Sequence, residues 1–422
     1  MQRDREIEIM APVGSYESLR AAIQAGAGSV YFGVEHLNMR ARSASNFFVS
    51  DLKKITEIAA RYKVRTYLTL NTEVFDNETE IVHSILDAAN DAGVSAVIAA
   101  DISVILYARS IGMEVHISTQ VNITNFEAVM FYARYADVLV LAREINLGRV
   151  HEISEKIVKH EIKGPSGELV LLEMFVHGAL CMAVSGKCYL SLHEMNFSAN
   201  RGACLQTCRR AYIVSDKETG AELEIDNEYI MSPKDLKTIH FLNKILDSGV
   251  SVLKIEGRAR SPEYVKTTVE CYKEAIHAWK TGNFTDDKIA RWDQKLHSVF
   301  NRGFWDGYYL GQRLGEWSHH YGSQATKLKI YIGKATNYLS DLGIAIFKME
   351  TGYLAVGDEL LITGPTTGVV ESVVKEIHVN HVSVSETTKG EHFSIPVPQK
   401  IRRNDKIFRL TDAKNIKENV RN

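Results

Sequence analysis

The chain has 422 residues, of which 45% are hydrophobic and 24% charged, an ordinary globular balance with enough apolar side chain for a large core. A formal charge of −2 gives no overall attraction to nucleic acid, so RNA contact would have to rest on a local basic face. No apolar run reaches the roughly 18 residues of a membrane helix, and the charged start Met1-Gln-Arg-Asp-Arg-Glu does not read as a signal peptide. A cytoplasmic protein with no membrane partner is therefore expected.

Through residue 256, short β-branched runs alternate with amphipathic segments, the pattern of a parallel sheet. Strands are expected at Ile7–Met10, Ser29–Phe32, Arg65–Leu70, Ala96–Ala100, Glu114–Ser118, Asp137–Leu141, Leu169–Val176 and Val252–Ile255. Helical patterns such as Ser15–Ala25, Leu52–Tyr62 and Glu78–Ala92 lie between them, and Gly26, Gly93 and Gly249 stand where helices should stop. Eight strands in such a series is the count of a (β/α)8 TIM-like barrel, with a doubly wound open sheet as the alternative. Polar residues stand just past most strands: Asn71, Asp101, Gln120, Asn122, Arg143, Glu144, His177, Glu256 and Arg258. In a barrel these positions share one mouth.

About 75 residues separate the seventh and eighth strands, too many for one crossover helix. The barrel is therefore expected over 1–280, with a Cys-rich insertion at 177–250. The insertion carries a hairpin-like stretch around Ser215–Gly220 and a helix start at Ser232-Pro-Lys-Asp-Leu. Helical text from Pro262 to about Thr281 and again through the 290s is followed by the Gly/aromatic run that begins at Asn301, so 281–324 reads as a connector. Beyond it, short alternating runs at Leu328–Ile332, Gly343–Phe347, Glu359–Ile362, Gly368–Ile377, His381–Val384 and Lys406–Leu410 predict a C-terminal small antiparallel β-barrel over 325–422.

Four of the five cysteines fall inside the insertion as Cys181, Cys188, Cys204 and Cys208, with six, fifteen and three residues between neighbours. Thiolates converging from short loops suit an iron–sulfur cluster, whose irons each take a soft sulfur ligand. The alternatives are a structural zinc site, which favours tighter pairs, and plain buried thiols. Cys271 lies in helical text and reads as a packed thiol. A protease nucleophile would need a depressed thiol pKa and a base, for which His177 is near Cys181 in sequence; neither His-Glu-x-x-His nor Gly-x-Ser-x-Gly occurs.

The run Glu173-x-Phe175-x-x-Gly178-Ala179-Leu180-Cys181-x4-Gly186-x-Cys188-x-Leu190-Ser191 resembles the signature of the collagenase-like peptidase family (peptidase family U-32). Further pieces fit, among them Ala11-Pro-Val-Gly-Ser-Tyr-Glu-Ser, Ser118-Thr-Gln-Val-Asn122, Leu141-Ala-Arg-Glu144, Arg201-Gly-x-Cys204-x3-Cys208-Arg-Arg210, Lys254-Ile-Glu-Gly-Arg258 and Asn301-Arg-Gly-Phe304. The likeness extends to about residue 310 and is strongest to the branch that supports oxygen-independent C5 hydroxylation of the tRNA wobble uridine. The resemblance implies a 4Fe-4S cluster on Cys181, Cys188, Cys204 and Cys208, tRNA as partner, and prephenate or a similar anion as oxygen donor. Other relatives hydroxylate 23S ribosomal RNA. The rival expectations are a peptidase and a non-catalytic RNA-binding or assembly subunit that needs a related partner chain.

A dicarboxylate donor calls for arginines, and Arg143, Arg258 and Arg260 are the expected clamps, unless they only pair with Glu144 or Glu256. His177 is a candidate for orienting substrate or moving a proton, or else a turn histidine. Glu173 is expected to hold the insertion in place. Gln120, Asn122 and Glu256 complete the expected substrate site. Arg201, Arg209 and Arg210 flank the ligands as RNA-contacting cations, and Lys400, Arg402 and Arg403 add a basic run further on.

Overall fold

The computed structural model describes residues 5–35, 37–39, 41, 46–210, 217–218, 232–311, 314–318 and 322–413. The hairpin expected around Ser215–Gly220 lies outside them, apart from a turn at Lys217 and Glu218.

Strands and helices alternate as the sequence pattern predicts. They run β1 (Glu8–Pro12), α1 (Tyr16–Ala25), β2 (Ser29–Phe32), α2 (Leu52–Ala60), β3 (Arg65–Leu70), α3 (Thr79–Asp91), β4 (Ala96–Ala99) and α4 (Ile102–Ser110). Then follow β5 (Glu114–Ile117), α5 (Phe126–Tyr132), β6 (Val138–Val140), α6 (Leu147–Lys159), β7 (Leu171–Gly178), α7 (Leu190–Met195), β8 (Asp235–Lys237), α8 (Leu242–Asp247) and β9 (Val252–Ile255). Helix starts are set by side chains that accept an orphan backbone N–H, as Ser15 does from Ser18, Asp101 from Ser103 and Asn146 from Arg149. Strands β1 to β7 pair in parallel in sequence order, and β9 pairs in parallel with both β7 and β1, which closes an eight-stranded barrel.

Alternation along the strands splits the apolar residues in two. Met10, Tyr31, Tyr67, Ala96, Ile98, Val138 and Val252 form a small cluster inside the bore. Their neighbours, among them Ile9, Val30, Phe32, Leu68, Val97 and Leu253, pack under the helices in the main core. On β7 the alternation slips: Phe175 lies opposite Lys254 but His177 lies opposite Ile255, so Val176 is an extra residue in a β-bulge.

The helix start expected at Ser232 is instead strand β8, antiparallel to the end of β7 and flanked by β10 (Phe304–Trp305). The reason is tertiary. Lys234 N donates to Glu316 O at 3.0 Å and Asp235 N to Gly303 O at 2.9 Å, so the donors a first helical turn would leave free are taken by other segments. Helices α9 (Pro262–Lys280) and α10 (Asp286–Ser298) close the barrel, and Trp292, Leu296, Trp305 and Tyr309 from the expected connector are buried in the barrel core.

The C-terminal unit is antiparallel throughout. Strands β11 (Lys327–Leu339), β12 (Ile344–Met349), β13 (Tyr353–Ala355), β14 (Glu359–Gly364), β15 (Gly368–Val373), β16 (Ile377–Val379), β17 (Val382–Val384), β18 (Glu386–Thr388), β19 (His392–Pro396) and β20 (Lys406–Asp412) make an eight-stranded sheet in the order β15-β14-β20-β11-β12-β19-β16-β17, with β13 and β18 as a separate pair. They wrap their own core, including Ile332, Phe347, Leu360, Ile377 and Phe393. The unit is fastened to α1 through Gln24, which donates to Thr367 O at 2.8 Å and accepts from Val369 N at 3.0 Å. A Lys329–Glu263 ion pair at 2.7 Å adds to the seam. Beside it lies a cleft of about 740 Å³, lined by Arg260, Phe300, Lys327, Glu359 and Glu371 among others.

Candidate active site

At the C-terminal ends of the barrel strands a cavity of about 560 Å³ opens, and all four clustered cysteines line it. Its floor is formed by Tyr31, Thr69, Phe175 and Lys254, which project from four different strands. Loops at a barrel's C-terminal face are where this fold assembles chemistry.

The cysteine loops are pinned to the barrel by specific contacts. Arg209 donates to Leu180 O and Pro233 O, both at 2.6 Å, and to Ser232 Oγ at 3.0 Å. Cys188 N donates to the buried Asn200 Oδ1 at 3.1 Å, and Leu205 N to Ser191 Oγ at 3.1 Å. Gly178 ends β7 at φ 103°, and a Cβ there would lie 2.3 Å from Glu256 O, so only glycine lets the chain turn from strand into the first cysteine loop. All four thiols are free; Cys181 is exposed and the other three are half-buried.

The thiols are close enough to feel one another. Burial pushes the Cys208 thiol up to about 11, helped by Cys204, Cys181 and Cys188 and opposed by Arg209. Among the described residues, no three His, Cys, Asp or Glu side chains stand close enough to share one metal ion. A four-iron cluster asks something different, because each thiolate binds its own corner iron and the sulfurs stand further apart than ligands to a single ion. A free quartet of soft donors around one cavity fits that demand.

Of the other expected site residues, Gln120, Arg143, Glu256, Arg258, Arg260 and Arg209 line the cavity. Arg143 donates to Ala179 O at 3.0 Å and lies over the Phe175 ring at 4.1 Å. Arg258 is buried and donates to Asn38 Oδ1 and Thr69 Oγ1, each at 2.9 Å. Arg260 stacks on Phe300 at 3.7 Å, with Asp235 Oδ2 at 3.4 Å.

His177, Asn122 and Glu173 stand elsewhere than expected, and Arg201 and Arg210 lie outside the cavity. His177 is 1% exposed and does not reach the cavity, because the bulge at Val176 turns it outward under the helices. There its ring packs against Tyr264, Tyr272 and Phe304. Burial, then the charges of Lys237, Arg260 and His297, hold its pKa down at about 3, so it stays neutral. Asn122 lies behind the cavity wall and fixes the insertion by donating to Ser185 O at 3.1 Å. Arg201 is a pin on the outer rim, ion-paired with Glu78 and stacked over Phe75 at 3.8 Å. Arg210 points outward to Met195 Sδ. Glu173 touches no part of the insertion; it lies in the bore, fully buried, with Lys254 Nζ at 2.7 Å. Lys254 joins the site beyond the expected residues, and the lone charge inside the strand Val-Leu-Lys-Ile is its signal in the sequence.

Fold and site together define an α/β-barrel protein with a thiol-rimmed, cation-rich mouth. Residues 14–319 match the family described as Peptidase family U32, and the chain belongs to that family. It is 61% identical over 405 residues to a protein of Porphyromonas gingivalis called collagenase, covering 96% of this chain and 98% of that one. It is 33% identical over 368 residues to tRNA hydroxylation protein P1 of Bacillus subtilis, covering 85% of this chain and 83% of that one. It is also 32% identical over 317 residues to a 23S rRNA 5-hydroxycytidine synthase of Escherichia coli, covering 74% of this chain and 46% of that one. The names divide between peptide hydrolysis and RNA hydroxylation. No helix among the described residues is long and apolar enough to cross a membrane.

Proposed function

We propose that the chain is an RNA-modifying enzyme that hydroxylates carbon 5 of the tRNA wobble uridine without molecular oxygen. In this reading Cys181, Cys188, Cys204 and Cys208 hold a 4Fe-4S cluster, and a small anion such as prephenate gives up the oxygen. The observation that carries it is the meeting of four free thiols with a cavity walled by Arg143, Arg258, Arg260, Arg302 and Lys254. Bound to these thiols, a cluster supplies an electron-transfer centre or a Lewis-acidic iron beside the cavity. The cations orient the anionic donor, the apolar part of the wall limits water, and the exposed Tyr189 ring on the rim offers a face on which a flipped-out uracil stacks. Relatives called tRNA hydroxylation protein P1 and rRNA hydroxycytidine synthase support RNA as the substrate class.

A peptidase is the second reading, favoured by the name of the relative at 61% identity. Against it, a thiol nucleophile needs a base in reach, and His177, the base expected beside Cys181, is buried outside the cavity that Cys181 lines. A tRNA nucleoside profile of a deletion strain tests the proposal. Loss of hydroxyuridine-derived nucleosides, restored by the wild-type gene and not by a variant with the four cysteines changed to serine, is the expected result; an unchanged profile refutes it. Gelatin cleavage by that all-serine variant would assign the peptidase instead. Loss of the nucleoside with no activity of the lone chain would assign a subunit role beside a related partner chain.

A further inference from the structure

A TIM-barrel bore is normally filled with branched apolar side chains, and here it holds a line of alternating charges. The line starts at the solvent-exposed base of the barrel, where Arg65 Nη2 meets Glu114 Oε2 at 2.6 Å. Glu114 Oε1 lies 3.1 Å from His116 Nε2, and His116 Nδ1 lies 3.7 Å from Glu173 Oε2. Glu173 Oε1 then accepts from Lys254 Nζ at 2.7 Å. His116 and Glu173 are wholly buried. Although burial opposes it, the two flanking carboxylates raise the His116 pKa, and Lys254 and His116 likewise hold Glu173 below the usual carboxylate range. The line therefore ends at the cavity floor in a cation whose counter-charge is tethered beneath it.

The form of that last pair is informative. Buried ion pairs are a poor route to stability, since well-packed apolar residues do as well or better. An ammonium has three N–H donors, and Glu173 takes one. The others have no acceptor among the described residues, and Nζ lies over the Tyr31 and Phe175 rings, with centroids 4.9 and 5.5 Å away. Lys254 is only 4% exposed, and it lines the mouth cavity.

We infer that Lys254 is the anion anchor on the floor of the mouth cavity, gripping a carboxylate of the small-molecule reactant, and that Glu173 is the positioning residue that aims it. The assignment rests on reading the cavity as the site of an anionic donor. No bond is made or broken by Lys254 in this role; it holds the carboxylate by charge-assisted hydrogen bonds.

The test is calorimetric titration of the anaerobically purified full chain with prephenate and with malonate, for wild type, Lys254→Met, Lys254→Arg and Glu173→Gln. Wild type should bind at least one of the two. Lys254→Met should weaken that binding about tenfold or more, as expected for a lost hydrogen bond between charged groups. Lys254→Arg should retain most of it and Glu173→Gln should fall between. Iron and sulfide content and tRNA affinity should stay at wild-type values in Lys254→Met, which separates anchoring from general damage and keeps the test alive if Glu173→Gln misfolds. Equal affinities in wild type and Lys254→Met, or no binding of either dicarboxylate by wild type, would overturn the inference. Binding of malonate and not prephenate, lost in Lys254→Met, supports the anchor and removes prephenate as donor. An unchanged nucleoside profile in the deletion strain, beside the expected titrations, leaves the anchor standing and removes the hydroxylase reading.

Discussion

Lowering the pH from 7 to 5 should destabilise the barrel through His177 specifically. In the unfolded chain this imidazole takes up a proton below about pH 6.5, whereas in the folded barrel it stays neutral until about pH 3. Between those values the unfolded state binds the extra proton, so stability falls as pH falls, by a factor of ten in the folding equilibrium per pH unit. At pH 5 the gap of about 1.5 pH units corresponds to about 2 kcal/mol. His116 acts in the opposite sense: its raised pKa adds stability that is fully present below about pH 6.5 and is lost as pH rises through the folded value. The two contributions are separated by replacing only His177. In His177→Phe the ring sits among Tyr264, Tyr272 and Phe304 and carries no titratable group. Urea unfolding of wild type and variant at several pH values is the assay. The wild type should lose about 2 kcal/mol more than the variant between pH 7 and 5. Parallel stability curves would refute the placement of a neutral histidine behind the bulge.

Two further outcomes follow from the mouth. Gly178→Ala should cost roughly 2–4 kcal/mol, since the new Cβ meets the Glu256 carbonyl at a backbone angle that only glycine adopts freely; urea unfolding measures it. Arg209→Ala removes three hydrogen bonds that tie the first cysteine loop to the segment at Ser232 and Pro233, so limited proteolysis should cut within 181–210 faster while global unfolding shifts little.

The barrel was legible because its strands are short β-branched runs and its helices begin at capping side chains such as Ser15 and Asn146. The rule that polar residues past strand ends share one mouth located Asn71, Gln120, Arg143, Glu256 and Arg258 in the cavity. It failed for His177 because a bulge exists only in the pairing of two strands, which sequence periodicity does not contain. The tie of Arg201 to Glu78 was not legible either, since the two stand 123 positions apart in the chain. Strand β8 was missed for a similar reason, its backbone partners coming from residues near 303 and 316. The pairing of Glu173 with Lys254 joins positions 81 apart that meet only when β7 and β9 close the barrel.

Arg260 lines both the mouth cavity and the cleft beside the C-terminal unit. Its one side chain thus belongs to the walls of a space of about 560 Å³ and of one of about 740 Å³, stacked on Phe300 at 3.7 Å with Asp235 Oδ2 at 3.4 Å. Trimming that side chain to alanine would therefore reshape two rooms with a single cut, the one rimmed by sulfur and the one against the C-terminal unit.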